Sequence, residues 1–162
     1  SFVEFAESFE GHEVLDVDEL LRALDSMPID VFLPCAAPQS VHSDFAAALV
    51  SAGVKIVVEG ANSPLTPSAE LVFAAAATQI VPDVLANAGG VVCSYLEMSK
   101  AASMTLPTET ETLANVSSIL TDAWARTTEY NRRYSLGNDL RLTADTVAVA
   151  DIAAVHTLRG IF

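Results

Sequence analysis

Positive charge is scarce in this sequence. Eight lysines and arginines face 21 aspartates and glutamates, and only Lys55 and Lys100 are lysines. The formal charge of −13 removes the basic surface that a phosphate backbone or an anionic membrane requires, so neither nucleic acid nor a membrane is expected as a partner. Cysteine is nearly absent too. Cys35 and Cys93 stand at a separation that fits no metal-ligand pattern, so no metal is expected, and they read as reduced thiols of a cytoplasmic protein. Long apolar runs are missing. The run from Phe45 breaks at Lys55 and Glu59, too soon to span a bilayer, and Glu4, Glu7 and Glu10 interrupt anything like a secretory leader. No G-x-G-x-x-G occurs, and neither does an internal repeat or a low-complexity segment.

What is present is an apolar chain dominated by alanine and valine. Of its 162 residues 51% are hydrophobic and 18% charged, enough for one ordinary domain with a sizeable core. It opens on Ser1-Phe2-Val3-Glu4, without Met, and reads as a piece of a longer polypeptide. Asp16 and Glu19 stand in capping-box spacing and predict a helix over 14–25, with Leu20, Leu21 and Leu24 on its apolar face. Residues 29–33 read as a short buried strand. Ser43-Asp44 can cap a second helix that runs through Phe45, Leu49 and Val50, with Gly53 at its C-terminal cap. Residues 54–58 form a second strand rich in β-branched side chains. Thr66-Pro67 starts a helix carrying Leu71, Val72 and Ala75, and residues 79–81 make a third strand. Short apolar strands alternating with helices over 14–90 predict an α/β fold with a parallel sheet covered on both faces. From Val91 the pattern is helical. Thr108 and Glu111 repeat the capping-box spacing ahead of Leu113, Val116, Leu120 and Trp124, in a helix reaching about Tyr130. Gly137-Asn138 marks a turn, and a last helix from near Thr143 carries Ala148, Ile152 and Val155 on one stripe.

Ligands of open α/β sheets bind at the carboxyl ends of the strands. Here those ends carry Pro34-Cys35-Ala36-Ala37, Glu59-Gly60-Ala61-Asn62 and Asn87-Ala88-Gly89-Gly90. Small residues let a ligand approach the backbone, and Asn62 and Asn87 supply amide donors and acceptors. Asparagine and glycine also make plain turns. Three such loops at corresponding places favour a ligand crevice over three unrelated turns.

The loop sequences carry a resemblance. Residues 55–67, from Lys55 through Glu59-Gly60-Ala61-Asn62 to Thr66-Pro67, look like the "KIVxEGANxPxTPEA" segment of glutamate dehydrogenases. Residues 81–97, from Val81-Pro82-Asp83 through Asn87-Ala88-Gly89-Gly90 to Ser94-Tyr95-Leu96-Glu97, look like "VPDxLANAGGVxxSYxE". Residues 29–36 are similar to "CDxLIPCA", and Arg141, Ala144, Ala148 and Arg159-Gly160 echo the terminal helix. Two long motifs in the right order and spacing make the chain resemble the Glu/Leu/Phe/Val dehydrogenase family, glutamate dehydrogenase above all, over nearly its whole length. Two departures fall inside the match. Ser99 and Lys100 replace the usual residues after the "SYxE" motif, and Asp145 stands where an aromatic is common.

The resemblance implies a partial Rossmann-like nucleotide-binding domain with parallel strands, followed by C-terminal α-helices. Residues 1–98 would be its second half and 99–162 a helical segment packing back on it. The glycine fingerprint and an N-terminal substrate domain are expected elsewhere in the protein. It implies NAD or NADP as cofactor, with Asn62 near the nicotinamide ribose, Asn87 and Gly89 in the loop flanking the nicotinamide, and Pro34, Cys35 and Ala36 beside the adenosine and ribose portion. Val91 and Ser94 match positions at the substrate side chain. A serine hydroxyl facing a carboxylate makes a charge-assisted hydrogen bond, whereas facing a leucine side chain it would be a buried polar group without a partner. Ser94 therefore favours glutamate and 2-oxoglutarate, with ammonia, over leucine, valine or phenylalanine. The alternative is that Ser94 merely caps a helix. Asp83 reads as structural. The proton-transfer lysine and aspartate of the family match nothing in this sequence, so the 162 residues alone are expected to be inactive, and NAD cannot be told from NADP. A homo-oligomer, a hexamer by resemblance, is expected. A non-catalytic assembly module is the remaining alternative.

Overall fold

The computed structural model describes residues 15–103, 108–137 and 139–160, the side chains of 100–103 excepted. Residue 14 of the first expected helix, Asn138 of the expected turn and the side chain of Lys100 lie outside them. Helix α1 spans Val17–Leu24 and opens on the expected capping box. The Asp16 carboxylate accepts from the Glu19 N–H at 2.8 Å, and the Glu19 carboxylate accepts from the Asp16 N–H at 2.9 Å. Strand β1 follows at Val31–Phe32, helix α2 at Ser43–Ser51 and strand β2 at Ile56–Val58; Ser43 and Asp44 lie inside the first turn of α2 instead of capping it, since the residue before the helix is His42 and its side chain makes no capping bond. Helix α3, Pro67–Ala75, has Thr66 as its cap and proline at its first turn, and β3 is Gln79–Val81.

The three strands pair in parallel, in the order β1-β2-β3, with Phe32 opposite Val57 and Val57 opposite Ile80. The core lies against this sheet. Phe73, Leu49 and Val57 are fully buried, and so are Ala46 and Ala69, whose small side chains let α2 and α3 close on one another. Phe32 packs edge-on against Phe45 with ring centroids 5.6 Å apart. Removing a ring as completely enclosed as Phe73 costs about 3–5 kcal/mol.

After β3 the chain is helical: α4 at Asp83–Ala86, α5 at Gly89–Ser103, α6 at Glu109–Tyr134 and α7 at Leu140–Leu158. The Thr108–Glu111 capping box opens α6 as expected. Helices α6 and α7 are tied by the Arg126–Asp151 ion pair and by Asn131, whose amide donates to the buried Thr143 hydroxyl at 2.9 Å.

Several boundaries differ from expectation. Strand β1 is two residues rather than five, because pairing with β2 stops at Phe32 and Leu33 is already 56% exposed ahead of Pro34. Strand β2 starts at Ile56, since the Val54 N–H is taken by the Leu49 carbonyl. Helix α5 begins at Gly89, so both glycines of the third loop are helical. Helix α6 runs past Tyr130 to Tyr134 and stops on Ser135 in the left-handed region. Helix α7 begins at Leu140 rather than near Thr143, because the Asp139 carboxylate caps it through the Leu142 N–H at 2.8 Å. Ala148, Ile152 and Val155 are exposed, and the buried residues of α7 lie near its start: Leu140, Thr143 and Ala144. Leu71 likewise points away from the core. Among the described residues, no helix is long and apolar enough to cross a membrane.

Candidate functional site

Parallel pairing puts the carboxyl ends of β1, β2 and β3 on one edge, and the three loops meet there. The Ala61 N–H donates to the Pro34 carbonyl at 2.9 Å, joining the first loop to the second. Gly60 is what allows this approach. A Cβ on it would sit 2.4 Å from the Cys35 sulfur and 3.6 Å from the Pro34 oxygen. The second and third loops join through side chains: the Asn87 Nδ2 donates to the Asn62 Oδ1 at 2.8 Å. Ser63 and Gln39 both take positive φ, 42° and 50°, and the Gln39 N–H donates to the Ser63 carbonyl at 2.8 Å. Behind that turn the Thr66 hydroxyl donates to the Val41 carbonyl and accepts from the Ala69 N–H, so one side chain caps α3 and pins the loop.

Beneath the two asparagines lies a cluster of charges. The Glu59 N–H donates to the Val81 carbonyl, which sets Glu59 at the end of β2 beside Pro82 and Asp83. Glu59 is fully buried, and one of its oxygens accepts from the Asp83 N–H at 2.8 Å. Both its oxygens lie 2.7 Å from Nη2 of Arg141, which reaches in from the first turn of α7. The other guanidinium nitrogen, Nη1, donates to Asp83 Oδ1 at 2.9 Å, and Glu70 Oε1 lies 3.0 Å from Nη2. Asp83 also accepts from two backbone N–H groups, Ser63 at 2.8 Å and Val84 at 2.9 Å.

Burial alone would raise the Asp83 carboxyl, but the Ser63 and Val84 N–H groups and the Arg141 guanidinium outweigh it and hold it below the usual aspartate value. For Arg141 burial works against the charge. The hydrogen bond and charge of Glu59, followed by Glu70 and Asp83, overcome it and raise the guanidinium further. Asp83 is thus structural, as its sequence suggested. In the sequence Glu59 and Arg141 stand out only as letters of longer motifs. An ionisable residue directly after an all-apolar strand, as Glu59 is, was the available signal, since such a residue is seldom buried without a partner.

These contacts bring Pro34 and Cys35 against Gly60 and Ala61, two residues and one residue before Asn62, and join Asn62 to Asn87. Ala36 is exposed next to them. Gly89 sits on the other side of its loop, where an added Cβ would meet Leu120 and Val116 of α6 at 3.9 Å. Val91 is 74% exposed on α5. The Ser94 hydroxyl donates to the Gly90 carbonyl of its own helix at 3.1 Å, so its proton is engaged within α5 and does not cap it. Among the described residues no hydrogen bond links Gly89, Val91 or Ser94 to the asparagine pair. An apolar cleft of about 300 Å³ lies next to these loops, lined by Val58 and Val81 at the strand ends, Leu85 and Ala86 of α4, and Leu120 and Trp124 of α6.

The sequence pattern of the family described as Glutamate/Leucine/Phenylalanine/Valine dehydrogenase matches residues 1–160. The NADP-specific glutamate dehydrogenase of Saccharolobus shibatae is 34% identical over 152 residues, 94% of this chain and 34% of that protein. The NADP-specific glutamate dehydrogenase A1 of Halobacterium salinarum is 34% identical over 153 residues, 94% of this chain and 36% of that protein. The chain thus spans about a third of the length of the curated relatives it matches. A crystal structure of Plasmodium falciparum glutamate dehydrogenase superposes with a TM-score of 0.78 at 29% identity, over 83% of this chain and 29% of that one.

Proposed function

Since this chain belongs to the Glutamate/Leucine/Phenylalanine/Valine dehydrogenase family, we propose that it forms the nicotinamide-side part of an NAD- or NADP-dependent glutamate dehydrogenase, which deaminates L-glutamate oxidatively to 2-oxoglutarate and ammonia. The observation that carries this reading is the Asn87–Asn62 hydrogen bond at 2.8 Å. It sets two side-chain amides side by side at the carboxyl edge of a parallel sheet, the place where such folds take ligands. The residues present suit the nicotinamide-ribose end of the cofactor. Amides both donate to and accept from ribose hydroxyls, and Gly60 keeps the loop backbone free of side-chain bulk. When bound, the nicotinamide supplies the two-electron acceptor for oxidation at the substrate α-carbon.

The chain's own residues orient and select. Asn62 and Asn87 hold the cofactor end in register with the sheet edge. Pro34, Cys35 and Ala36 flank its adenosine and ribose portion, and Gly89 carries the loop into α5. Val91 and Ser94 face the substrate side chain. To donate to the distal carboxylate of glutamate, the Ser94 hydroxyl rotates away from the Gly90 carbonyl and trades a neutral partner for a charged one, which is the stronger bond. In this reading residues 1–98 complete a cofactor domain and 99–162 pack back on it, within a cytoplasmic homo-oligomer, a hexamer by resemblance.

Steady-state kinetics of the full-length protein test the substrate assignment. Ser94→Val is expected to lower kcat/KM for glutamate far more than for norvaline, which has no distal carboxylate. Equal losses for both substrates would remove Ser94 from substrate recognition. A wild-type preference for leucine, valine or phenylalanine over glutamate would move the protein to a sister activity.

A further inference from the structure

We propose that Arg141, on the C-terminal helix, is a positioning residue that sets the spacing of Asn62 and Asn87 and thereby the affinity for the nicotinamide cofactor; the proposal rests on the reading of those two asparagines given above. The guanidinium spans two segments that each lead into one asparagine. Nη2 holds Glu59, three residues before Asn62, at 2.7 Å through both carboxylate oxygens. Nη1 holds Asp83, the first residue of α4, at 2.9 Å. Asp83 then reaches both asparagines. Its Oδ2 takes the N–H of Ser63, the neighbour of Asn62, at 2.8 Å, and its carbonyl takes the N–H of Asn87 at 2.9 Å. A Glu59 oxygen accepts from the Asp83 N–H at 2.8 Å and closes the circuit.

The planar fork is what makes this a positioning device. Two fixed nitrogens address Glu59 and Asp83 in separate segments, with Glu70 of α3 also 3.0 Å from Nη2, so the distance between the end of β2 and the start of α4 is copied from the guanidinium. An ammonium in its place retains a positive charge but is a point donor on a flexible stem, and it cannot hold both carboxylates in a fixed relation. Through α7 the helical segment thus has a direct grip on the cofactor edge. Such supporting contacts decide whether ligand-facing groups sit within a fraction of an ångström of the productive position.

The test uses the full-length protein with Arg141→Lys, Asp83→Asn, Asn62→Ala, Asn87→Ala and, as a control on the exposed α6–α7 pair, Arg126→Lys. Cofactor affinity is read by fluorescence titration with NADH and NADPH, thermal midpoints by circular dichroism, and amide hydrogen exchange at Ser63 in the cofactor-free protein. Arg141→Lys is expected to stay folded, to speed exchange at Ser63, and to raise the cofactor Kd about five- to tenfold, the size of one lost net hydrogen bond. Asp83→Asn is expected to act in the same direction, so the proposal does not depend on the Lys variant folding. Arg126→Lys is expected to change neither reading. Unchanged affinity in both Arg141→Lys and Asp83→Asn, with weakened affinity in the asparagine variants, would overturn the positioning role and leave the reading of the loops intact. Unchanged affinity in Asn62→Ala and Asn87→Ala would overturn that reading and the proposal with it.

Discussion

Arg141 and Glu59 lie 82 positions apart and meet through a single nitrogen, Nη2, placed 2.7 Å from each oxygen of a carboxylate that no solvent reaches. Taking the charge of Arg141 away leaves Glu59 buried with the Asp83 N–H as its one remaining hydrogen-bond donor among the described residues. Breaking one partner of a fully buried pair costs about 3–5 kcal/mol, more than the pair itself contributes, and the 32% exposure of the Arg141 side chain puts this pair toward the lower end. Arg141→Leu is therefore expected to lower the urea midpoint sharply. Glu59→Gln combined with Arg141→Leu is expected to recover part of the loss, because the orphaned charge is gone. A double variant that is simply the sum of two losses would mean that the two side chains are not coupled.

Asp83 gives the fold an acid-sensitive joint. Its carboxyl is held below the ordinary aspartate value of about 3.9 by two backbone N–H groups and Arg141, against the opposing effect of burial. A depressed folded-state value means that its stabilisation is fully present above the unfolded value and is lost as pH falls through the folded one. Urea unfolding measured down the acid limb should show stability falling below about pH 4. Asp83→Asn should flatten that slope while lowering stability at neutral pH. An unchanged slope in the variant would assign the acid limb to other carboxylates.

Local signals in the sequence translated well, and distant ones did not. The capping boxes at Asp16–Glu19 and Thr108–Glu111 and the Thr66-Pro67 start act within one helical turn, and all three open helices where the spacing placed them. The parallel strands followed from alternation with helices, and the meeting of the Pro34, Gly60 and Asn87 loops followed from strand order. Strand length was less legible, because it depends on where a neighbour stops pairing, as at Phe32 opposite Val57. The Arg141 circuit was invisible for the same reason in stronger form: its partners lie 58 and 82 positions away and share no periodicity with it. The stripe of Ile152 and Val155 has helical spacing but no covering element among the described residues. Periodicity reports a face and says nothing of what meets it.

Gly60 and Cys35 make a pair that can be tested by size alone. The φ of Gly60 lies outside the left-handed region, so space rather than backbone strain explains the glycine. A methyl there would sit 2.4 Å from the Cys35 sulfur but 3.5 Å from its Cβ, an ordinary contact. Gly60→Ala is expected to destabilise the protein by about 1–3 kcal/mol, the usual cost of overpacking. In a Cys35→Ala background the same change should cost clearly less, giving a coupling of about 0.5 kcal/mol or more. Equal costs in both backgrounds would show that the thiol is not what excludes the methyl.

Asp145 is the position at which the family resemblance calls for an aromatic, and a reason is visible around it. It borders a cavity of about 260 Å³ lined by Val84 and Leu85 of α4, Ala123 and Thr127 of α6, and Ala144 and Ala148 of α7. The lining is mostly small and apolar, and an exposed carboxylate at the rim fills none of it. Asp145→Phe is expected to occupy this space, bury its ring against α4 and α6, and raise stability by about 0.5–2 kcal/mol, as cavity-filling changes do. Thermal melts of wild type and variant at neutral pH read the effect directly. Arg126 and Asp151 also border the cavity, so their ion pair serves as an internal check. If Asp145→Phe lowers the midpoint in wild type but raises it in Asp151→Ala, the ring collides with that pair rather than failing to find a cavity; a fall in both backgrounds would mean that the helices do not leave room for it.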